Sequence, residues 1–572
     1  KSAVKMIALG TELHAQAYFE YDAKKSGGVT ISHLRFGPKP IHAPYNVRAA
    51  DYLAVHKQSY VHSYDMTRYL KQNAVFVINC SWDKSEIEKQ LPVKMRKDLA
   101  EKKAKLFIID ATKIAVKAGL GKRINMIMQT VFFKLSAVMP YEEAVDMLKK
   151  SIKKMYGKKG DKVVKMNIDG VDASIEGIVQ VDIPASWASL SVEGEATDAA
   201  KQKVAYGKGP RMFPEVQDAA QFAKQVQSPC NNLDGNALPV SAFVPGGRVP
   251  LGTSQYEKRG IAINVPRVDM DKCTQCNKCS LICPHAAVRP FLATGQELAK
   301  APAAFKTGSR AAIGGGVLDN YQYRIQVSPW DCTGCELCVR ICPADALSLG
   351  PAEKVIEEEE PNWNFAITLP DRGDEIDKTT VKGSQFQKPY LEFSGACEGC
   401  GETPHVKLMT QLFGDRLVIA NATGCSSIWG GSNPSFPYTV NTKGEGPAWA
   451  NSLFEDNAEF GFGMRKAFKQ RRDYLAMQVE DTLNDKAVTM SDELRQALNQ
   501  FLVMRKENMH DLLLPKGRSI YHQIMEKLVP LLEKEKGNHV KIHGLYDLED
   551  MFGRSSFWIV GGDGWAYDIG YG

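Results

Sequence analysis

Two copies of one cysteine pattern constrain this chain more than any other feature in it. Cys273-Thr-Gln-Cys276-Asn-Lys-Cys279-Ser-Leu-Ile-Cys283-Pro284 reads C-x2-C-x2-C-x3-C-P, and Cys332-Thr-Gly-Cys335-Glu-Leu-Cys338-Val-Arg-Ile-Cys342-Pro343 repeats it. Three thiols at two-residue spacing wrap one corner of an iron–sulfur cubane on a single tight loop. The fourth, followed by Pro, starts a helix that points away and ligates the other cluster. The spacing therefore predicts cluster one on Cys273, Cys276, Cys279 and Cys342, and cluster two on Cys332, Cys335, Cys338 and Cys283. Two zinc ribbons would need four thiolates each, but not the Cys-Pro ending twice over. The 48 residues between Cys283 and Cys332 exceed what a minimal two-cluster ferredoxin uses, so an insertion separates the motifs.

Eleven of the 13 cysteines fall between 273 and 425. A disulfide scaffold would spread its thiols and be much shorter, so the crowding points to metal in a reducing compartment, the cytoplasm by default. At ~150 residues per domain the 572 residues make about four domains. Hydrophobic and charged fractions of 44% and 24% exclude bulk disorder. No apolar run reaches the length of a membrane span, and no secretory leader pattern opens the chain. A net charge of +6 is too small to argue for nucleic acid. A start at Lys1 and an abrupt end at Gly572 suggest a piece of a longer polypeptide.

A third thiol set lies downstream. Cys397-Glu-Gly-Cys400 is a CxxC, and Cys425 follows a strand-like run at 416–420. Three thiols do not close a four-thiolate site. The fourth ligand lies outside this chain, or Cys230 supplies it, or the CxxC is a redox dithiol. A second strand-like run, 556–561, ends in Gly562-Asp563-Gly564. A carboxylate at the carboxyl end of a strand, flanked by glycines, is what a Mg2+–diphosphate site requires. If both strands share a sheet, Cys425 and Asp563 sit at one edge of it.

Elsewhere, residues 1–212 read as α/β, with strand-like runs at 4–9, 74–79 and 105–110 and a helical stretch at 141–156. Lys24, Lys25, Ser26, Gly27 and Gly28, with Arg123 and Asn125, are anion-binding candidates, because lysines and free backbone N–H groups suit phosphates. Residues 213–258 form a Pro/Gly-bearing connector. The acidic run 357–360 before Pro361 reads as a solvated linker, and 464–543 as a helical insertion without chemistry. His33, His285 and His405 read as structural or surface residues, and Cys80 and Cys230 as inert thiols.

Residues 395–403, 421–427, 447–456 and 561–572, together with 21–40, 119–133 and 251–266, resemble the pyruvate:ferredoxin (flavodoxin) oxidoreductases, single-chain thiamine-dependent enzymes. The stretch 251–266 holds Glu257-Lys258-Arg259, the tripeptide that names the family's small linking domain. The resemblance covers nearly the whole chain, from the middle of the family's polypeptide into its thiamine domain; the substrate domains and the carboxy-terminal part lie outside it. It departs from the family after Gly10, where a Gly-rich loop is expected and Thr11-Glu-Leu follows at once.

The resemblance implies four α/β or α+β parts: 1–212, a doubly wound γ-type domain with the coenzyme A site; 213–258, the linking domain; 259–370, the two-cluster ferredoxin domain; and 371–572, a truncated thiamine diphosphate domain. It implies a cofactor site on Glu402, Gly562, Asp563, Gly564 and Trp565, with Asp563 on Mg2+. It also implies a third 4Fe–4S cluster on Cys397, Cys400 and Cys425, with its fourth ligand beyond Gly572, and coenzyme A on Lys24, Lys25, Ser26, Gly27, Arg123 and Asn125. The implied activity is oxidative decarboxylation of pyruvate to acetyl-CoA, with electrons passed to ferredoxin or flavodoxin by a homodimer. The substrate-contacting residues lie mostly outside this chain. Another 2-oxo acid, or a non-catalytic electron-transfer adaptor, are the alternatives.

Overall fold

The computed structural model describes residues 2–22, 24–191, 218–232, 234–243, 247–307, 312–431, 434–506, 515–562 and 564–568; the side chains of 506–524 are not described. Among the described residues no helix is long and apolar enough to cross a membrane. The chain divides into two compact units, Lys1–Asp22 with Val29–Asp198, and Ala23–Gly28 with Ala199–Gly572. The short piece 24–28 thus interrupts the first unit in sequence but belongs to the second.

In the first unit, strands β1 (His14–Tyr21) and β2 (Thr30–Gly37) form an antiparallel ribbon. Strands β3 (Ala50–Val55), β4 (Leu70–Asn79) and β5 (Lys105–Ile109) run parallel, and β6 (Val179–Val181) closes the sheet antiparallel to β5. The β4 sequence explains its central place. Phe76, Val77 and Ile78 are all fully buried, as a strand covered on both faces requires. Phe76 and Ile78 enter one core with Met95 and Leu99, while Val77 points into another with Ile127 and Val131. Helices therefore lie on both faces. The strands follow one another in chain order across the sheet, so the expected doubly wound topology, with its reversal of strand order, is not what the described strands form. The helix Tyr141–Tyr156 matches the expected 141–156.

The run 4–9 is not a strand. It lies within the helix Ser2–Gly10, with Ala3, Met6 and Ile7 buried on one side against Leu148 and Ile152. A short apolar run satisfies either period, and the i, i+3, i+4 spacing of these three residues decided it. The chain then reaches β1 within three residues of Gly10. The end of the Met147 side chain packs close against Gly10.

In the second unit, β7 (Asn264–Val268) pairs antiparallel with β10 (Leu347–Pro351), and β8 (Val288–Ala293) pairs antiparallel with β9 (Gln322–Val327). The two cysteine motifs fall between these strands, and β8 and β9 belong to the insertion that separates them. The acidic run 357–360 is no linker. It lies within the helix Ala352–Ala366, which buries Val355 and Trp363 against the ferredoxin core. Its carboxylates are held by distant arginines, Glu358 by Arg267 at 2.7 Å and Glu359 by Arg324 at 2.8 Å. Further on, the fully buried β11 (Leu417–Ala422) is the centre of a parallel sheet, flanked by β12 (Ala448–Ser452) and β13 (Ser556–Val560). Between β12 and β13 the chain forms helices Asn457–Asn484, Asp492–Lys506, Pro515–Glu535 and Val540–Asp547, which share a core of their own. This is the helical insertion the sequence indicated.

Candidate metal centres and cofactor site

The two cysteine motifs fold into the same loop twice. In the first, Gln275, Asn277 and Ala286 take positive φ values of 57°, 60° and 52°. In the second, the residues at the same offsets, Gly334, Glu336 and Asp345, take 72°, 66° and 47°. Left-handed residues turn successive backbone N–H groups inward, toward the anion they enclose. The amides of Gln275, Gly334 and Ala346 accordingly donate to Cys273, Cys332 and Cys342 Sγ at 3.4, 3.4 and 3.3 Å.

The first of the expected sets shares one space. Cys273, Cys276, Cys279 and Cys342 line one cavity together with Tyr323 and Ile325. Burial pushes the Cys279 thiol up to about 12, with Cys273, Cys276 and Cys342 adding to it. Burial likewise pushes Cys332 up to about 12, and Cys338 upward too; Cys283 comes first among the thiols that add to each, and Cys279 of the first loop also acts on Cys338. Four thiolates round one apolar space repel each other and lack solvent. Positive iron between them would remove both penalties, so the donor set fits a thiolate-bound iron–sulfur core. Among the described residues no three His, Cys, Asp or Glu side chains converge tightly enough to hold a single ion; the thiols surround a space instead.

The third set is built against the second. The Cys397–Cys400 turn closes through Cys400 N to Cys397 O at 3.1 Å. Gly399 in that turn has φ +72°, and a Cβ there would lie 3.7 Å from Cys335 Cβ. Cys425 opens the helix Cys425–Gly430 directly after β11. A Cβ on Gly562, which follows β13, would come within 4.0 Å of Cys425 N. The two parallel strands thus deliver Cys425 and the Gly562 turn to one sheet edge. Asp563 lies outside the described residues. Cys230 sits in the helix Ser228–Asn231 near Gly235, its pKa raised by burial.

Around that edge, several buried polar atoms have no hydrogen-bond partner: Thr403 Oγ1, Asn421 Oδ1, Ser426 Oγ, Tyr438 OH, Trp449 Nε1 and Trp565 Nε1. Buried polar atoms are nearly always paired; of these, Asn421 and Ser426 lie on the segment that ends β11 and carries Cys425. Glu402 is placed here by its Oε2, which accepts from Trp429 Nε1 at 3.1 Å. Trp565 packs its ring on Gly561, and Gly564 starts the helical turn Gly564–Asp568.

The residues expected to bind anions are committed elsewhere. Lys24 forms an ion pair with Glu257 at 2.7 Å, both side chains more than nine-tenths buried. The amides of Lys25 and Ser26 both donate to Gly395 O, at 2.8 and 3.2 Å. Ser26 O accepts from Arg259 Nη1 at 2.6 Å, and Arg259 Nη2 also donates to Phe393 O and Ser394 O. Gly27, at φ +76°, lies so close to Arg259 and Ile261 that a Cβ would meet them at 2.8 and 2.9 Å. Lys258 Nζ pairs with Asp331, next to Cys332, at 2.8 Å. The tripeptide Glu257-Lys258-Arg259 is therefore a clamp that fixes residues 24–28 beside the cysteine turn, and the loop's polar groups do not form an open phosphate nest. The clamp delivers Lys25 to the third thiol set, Nζ donating to Cys425 Sγ at 2.6 Å. The hydrogen bond to Cys425 raises the Lys25 pKa, and Cys397 and Glu402 add to it. Arg123 and Asn125 belong to the first unit, both exposed, with Asn125 opening the helix Asn125–Ser136.

His33 is buried on Glu20 at 3.0 Å, and His405 is exposed. His285, two residues after Cys283, is buried with Nδ1 at 3.2 Å from Ser394 O. Sequence reasoning missed Lys407, a fully buried lysine bonded to the first motif; its one signal is a charged residue on the inward face of a helix.

Residues 2–177 match the family described as pyruvate ferredoxin/flavodoxin oxidoreductase, 211–262 a domain of unknown function named EKR, and 265–343 a 4Fe–4S dicluster domain. The whole chain is 48% identical to a pyruvate:ferredoxin oxidoreductase of Moorella thermoacetica and 47% identical to a pyruvate-flavodoxin oxidoreductase of Enterobacter agglomerans, covering 46% of each. It is 47% identical to a pyruvate dehydrogenase (NADP+) of Cryptosporidium parvum, covering 31% of it. The chain thus spans at most about half the length of these relatives. With its paired cysteine motifs, the chain is similar along its whole length to pyruvate:ferredoxin/flavodoxin oxidoreductases, and residues 2–177 match that family.

Proposed function

We propose that this chain is the electron-conducting and thiamine-binding half of an enzyme that oxidatively decarboxylates pyruvate to acetyl-CoA and CO2. Electrons leave through three 4Fe–4S clusters to ferredoxin or flavodoxin. The observation that carries the proposal is the position of the third thiol set, whose Gly399 lies near Cys335 and whose Cys425 lies near Gly562. Glu402, Gly562, Gly564, Trp565, Asn421 and Ser426 are the residues that would hold thiamine diphosphate, with Asp563 on Mg2+. Bound there, thiamine diphosphate supplies an electron sink for breaking the bond to the departing carboxylate.

The chain's own residues do the rest by placement. Trp429 holds the Glu402 carboxylate in a fixed orientation. Lys25 sets a positive charge on Cys425 Sγ, where an arriving electron would otherwise add to an already anionic centre. Cys397, Cys400 and Cys425 are three ligands of the proximal cluster; the fourth is supplied from outside these residues or by Cys230. The nearness of Gly399 to Cys335 would make cluster two, if bound there, the neighbour of the proximal centre. Coenzyme A, the acetyl acceptor, is read onto the first unit's Arg123 and Asn125, since residues 24–28 are tied to protein partners.

The test is Cys425→Ala in the complete polypeptide. Thiamine diphosphate binding and the two dicluster signals should persist, while ferredoxin reduction slows severely. Unaltered ferredoxin reduction would make Cys425 a structural thiol. Failure of the unaltered polypeptide to bind thiamine diphosphate would instead favour an electron-transfer adaptor.

A further inference from the structure

The helix Thr403–Phe413 turns an unusual face inward. Positions 403, 406, 407, 410 and 411 repeat at helical spacing and are all buried, yet 407 is a lysine. Its side chain is 2% exposed. The ammonium donates to three carbonyls at the end of the short helix Lys278–Ile282: Ser280 O, Leu281 O at 3.1 Å and Cys283 O at 3.1 Å. All three donors are thereby used, and no carboxylate pairs with it among the described residues.

A buried ammonium without a counterion is costly and rare. The three carbonyls that hold it lie on the segment that runs from Cys279 to Cys283. Cys283 is the crossing ligand of cluster two, and Cys279 is a ligand of cluster one. The missing countercharge therefore lies in the direction of the two anionic iron–sulfur centres.

We propose that Lys407 is a positioning residue whose fixed positive charge raises the reduction potentials of both clusters, cluster two more than cluster one. The proposal rests on the two-cluster reading above. Each cluster gains one electron on reduction, and so one further negative charge, taken in the cell from the upstream centre and in the test from dithionite. A neighbouring ammonium favours the reduced form. The greater effect falls on cluster two because the ammonium bonds to the backbone of Cys283 itself.

The experiment is an electron paramagnetic resonance redox titration of the complete holoenzyme and its Lys407→Met, Lys407→Gln and Lys407→Arg variants. Gln keeps a donor for the carbonyls without the charge, and Arg keeps the charge. In both neutral variants the reduction equilibrium of cluster two should fall about tenfold or more, about 59 mV for a one-electron centre. Cluster one should fall less, and the Arg variant should stay close to the unaltered enzyme. Unchanged potentials in a neutral variant with intact clusters overturn the proposal, leaving Lys407 a structural donor. If Met prevents cluster assembly, Gln decides; if neither neutral variant assembles cluster two, the proposal is also overturned, because Lys407 is then an assembly residue. Absence of two dicluster signals in the unaltered enzyme would instead defeat the two-cluster reading.

Discussion

Breaking the Lys24–Glu257 pair should loosen the loop that carries Lys25, by an amount the burial sets. The charges are 2.7 Å apart with side-chain exposures of 7% and 4%. At an effective dielectric of ~20 their attraction is roughly 6 kcal/mol before desolvation is subtracted. Removing one member of such a buried pair costs about 3–5 kcal/mol, because the other charge is left without its partner. Glu257→Gln should fall at the upper end, since it leaves Lys24 facing Arg259, whose Nε is 3.8 Å from Glu257. Lys24→Met should fall at the lower end, since Glu257 keeps Arg259. The double variant Lys24→Met/Glu257→Gln should cost less than Glu257→Gln alone. Native-state hydrogen exchange reads this locally at the Lys25 and Ser26 amides, which are bonded to Gly395 O. A loss of 3–5 kcal/mol corresponds to exchange faster by roughly 10²–10³-fold or more. Acceleration below about fivefold in Glu257→Gln would place the pair with weak surface bridges and refute the clamp.

The ligand crossing predicts that Cys283→Ser and Cys338→Ser remove the same cluster signal, while Cys279→Ser removes the other, as spectroscopy of each variant would show. Gly27→Ala should displace the loop by about 1–3 kcal/mol through its positive φ and its contact with Arg259, again visible as faster exchange at Lys25. Lys25→Met should leave iron content unchanged and shift the proximal cluster's potential downward in a redox titration; no shift would mean that the Lys25–Cys425 contact does not tune that centre. Residues 1–572 alone should not decarboxylate pyruvate, and measured turnover by this fragment would contradict that.

What was legible in the sequence was local chemistry. Thiols separated by two or three residues are held together by the covalent chain, so each motif's tight cysteine loop could be read from spacing, and the strands before Cys425 and Gly562 from their apolar runs. What was not legible depends on distant partners. Residues 24–28 look like a phosphate nest by themselves; Glu257 and Arg259, more than two hundred positions along, make them a docked loop. The run 357–360 looks solvated until Arg267 and Arg324 are folded against it. The helix Ser2–Gly10 shows the other failure, a segment too short for its period to be told from a strand's. Lys407 left only an inward lysine in a periodic pattern, and its carbonyl partners lie more than a hundred residues earlier.

Iron and acid-labile sulfide analysis of the complete, anaerobically purified polypeptide tests the central claim most directly. Three four-iron centres predict about twelve of each per protomer. About eight of each would leave only the two ferredoxin clusters and contradict an iron–sulfur centre on Cys397, Cys400 and Cys425.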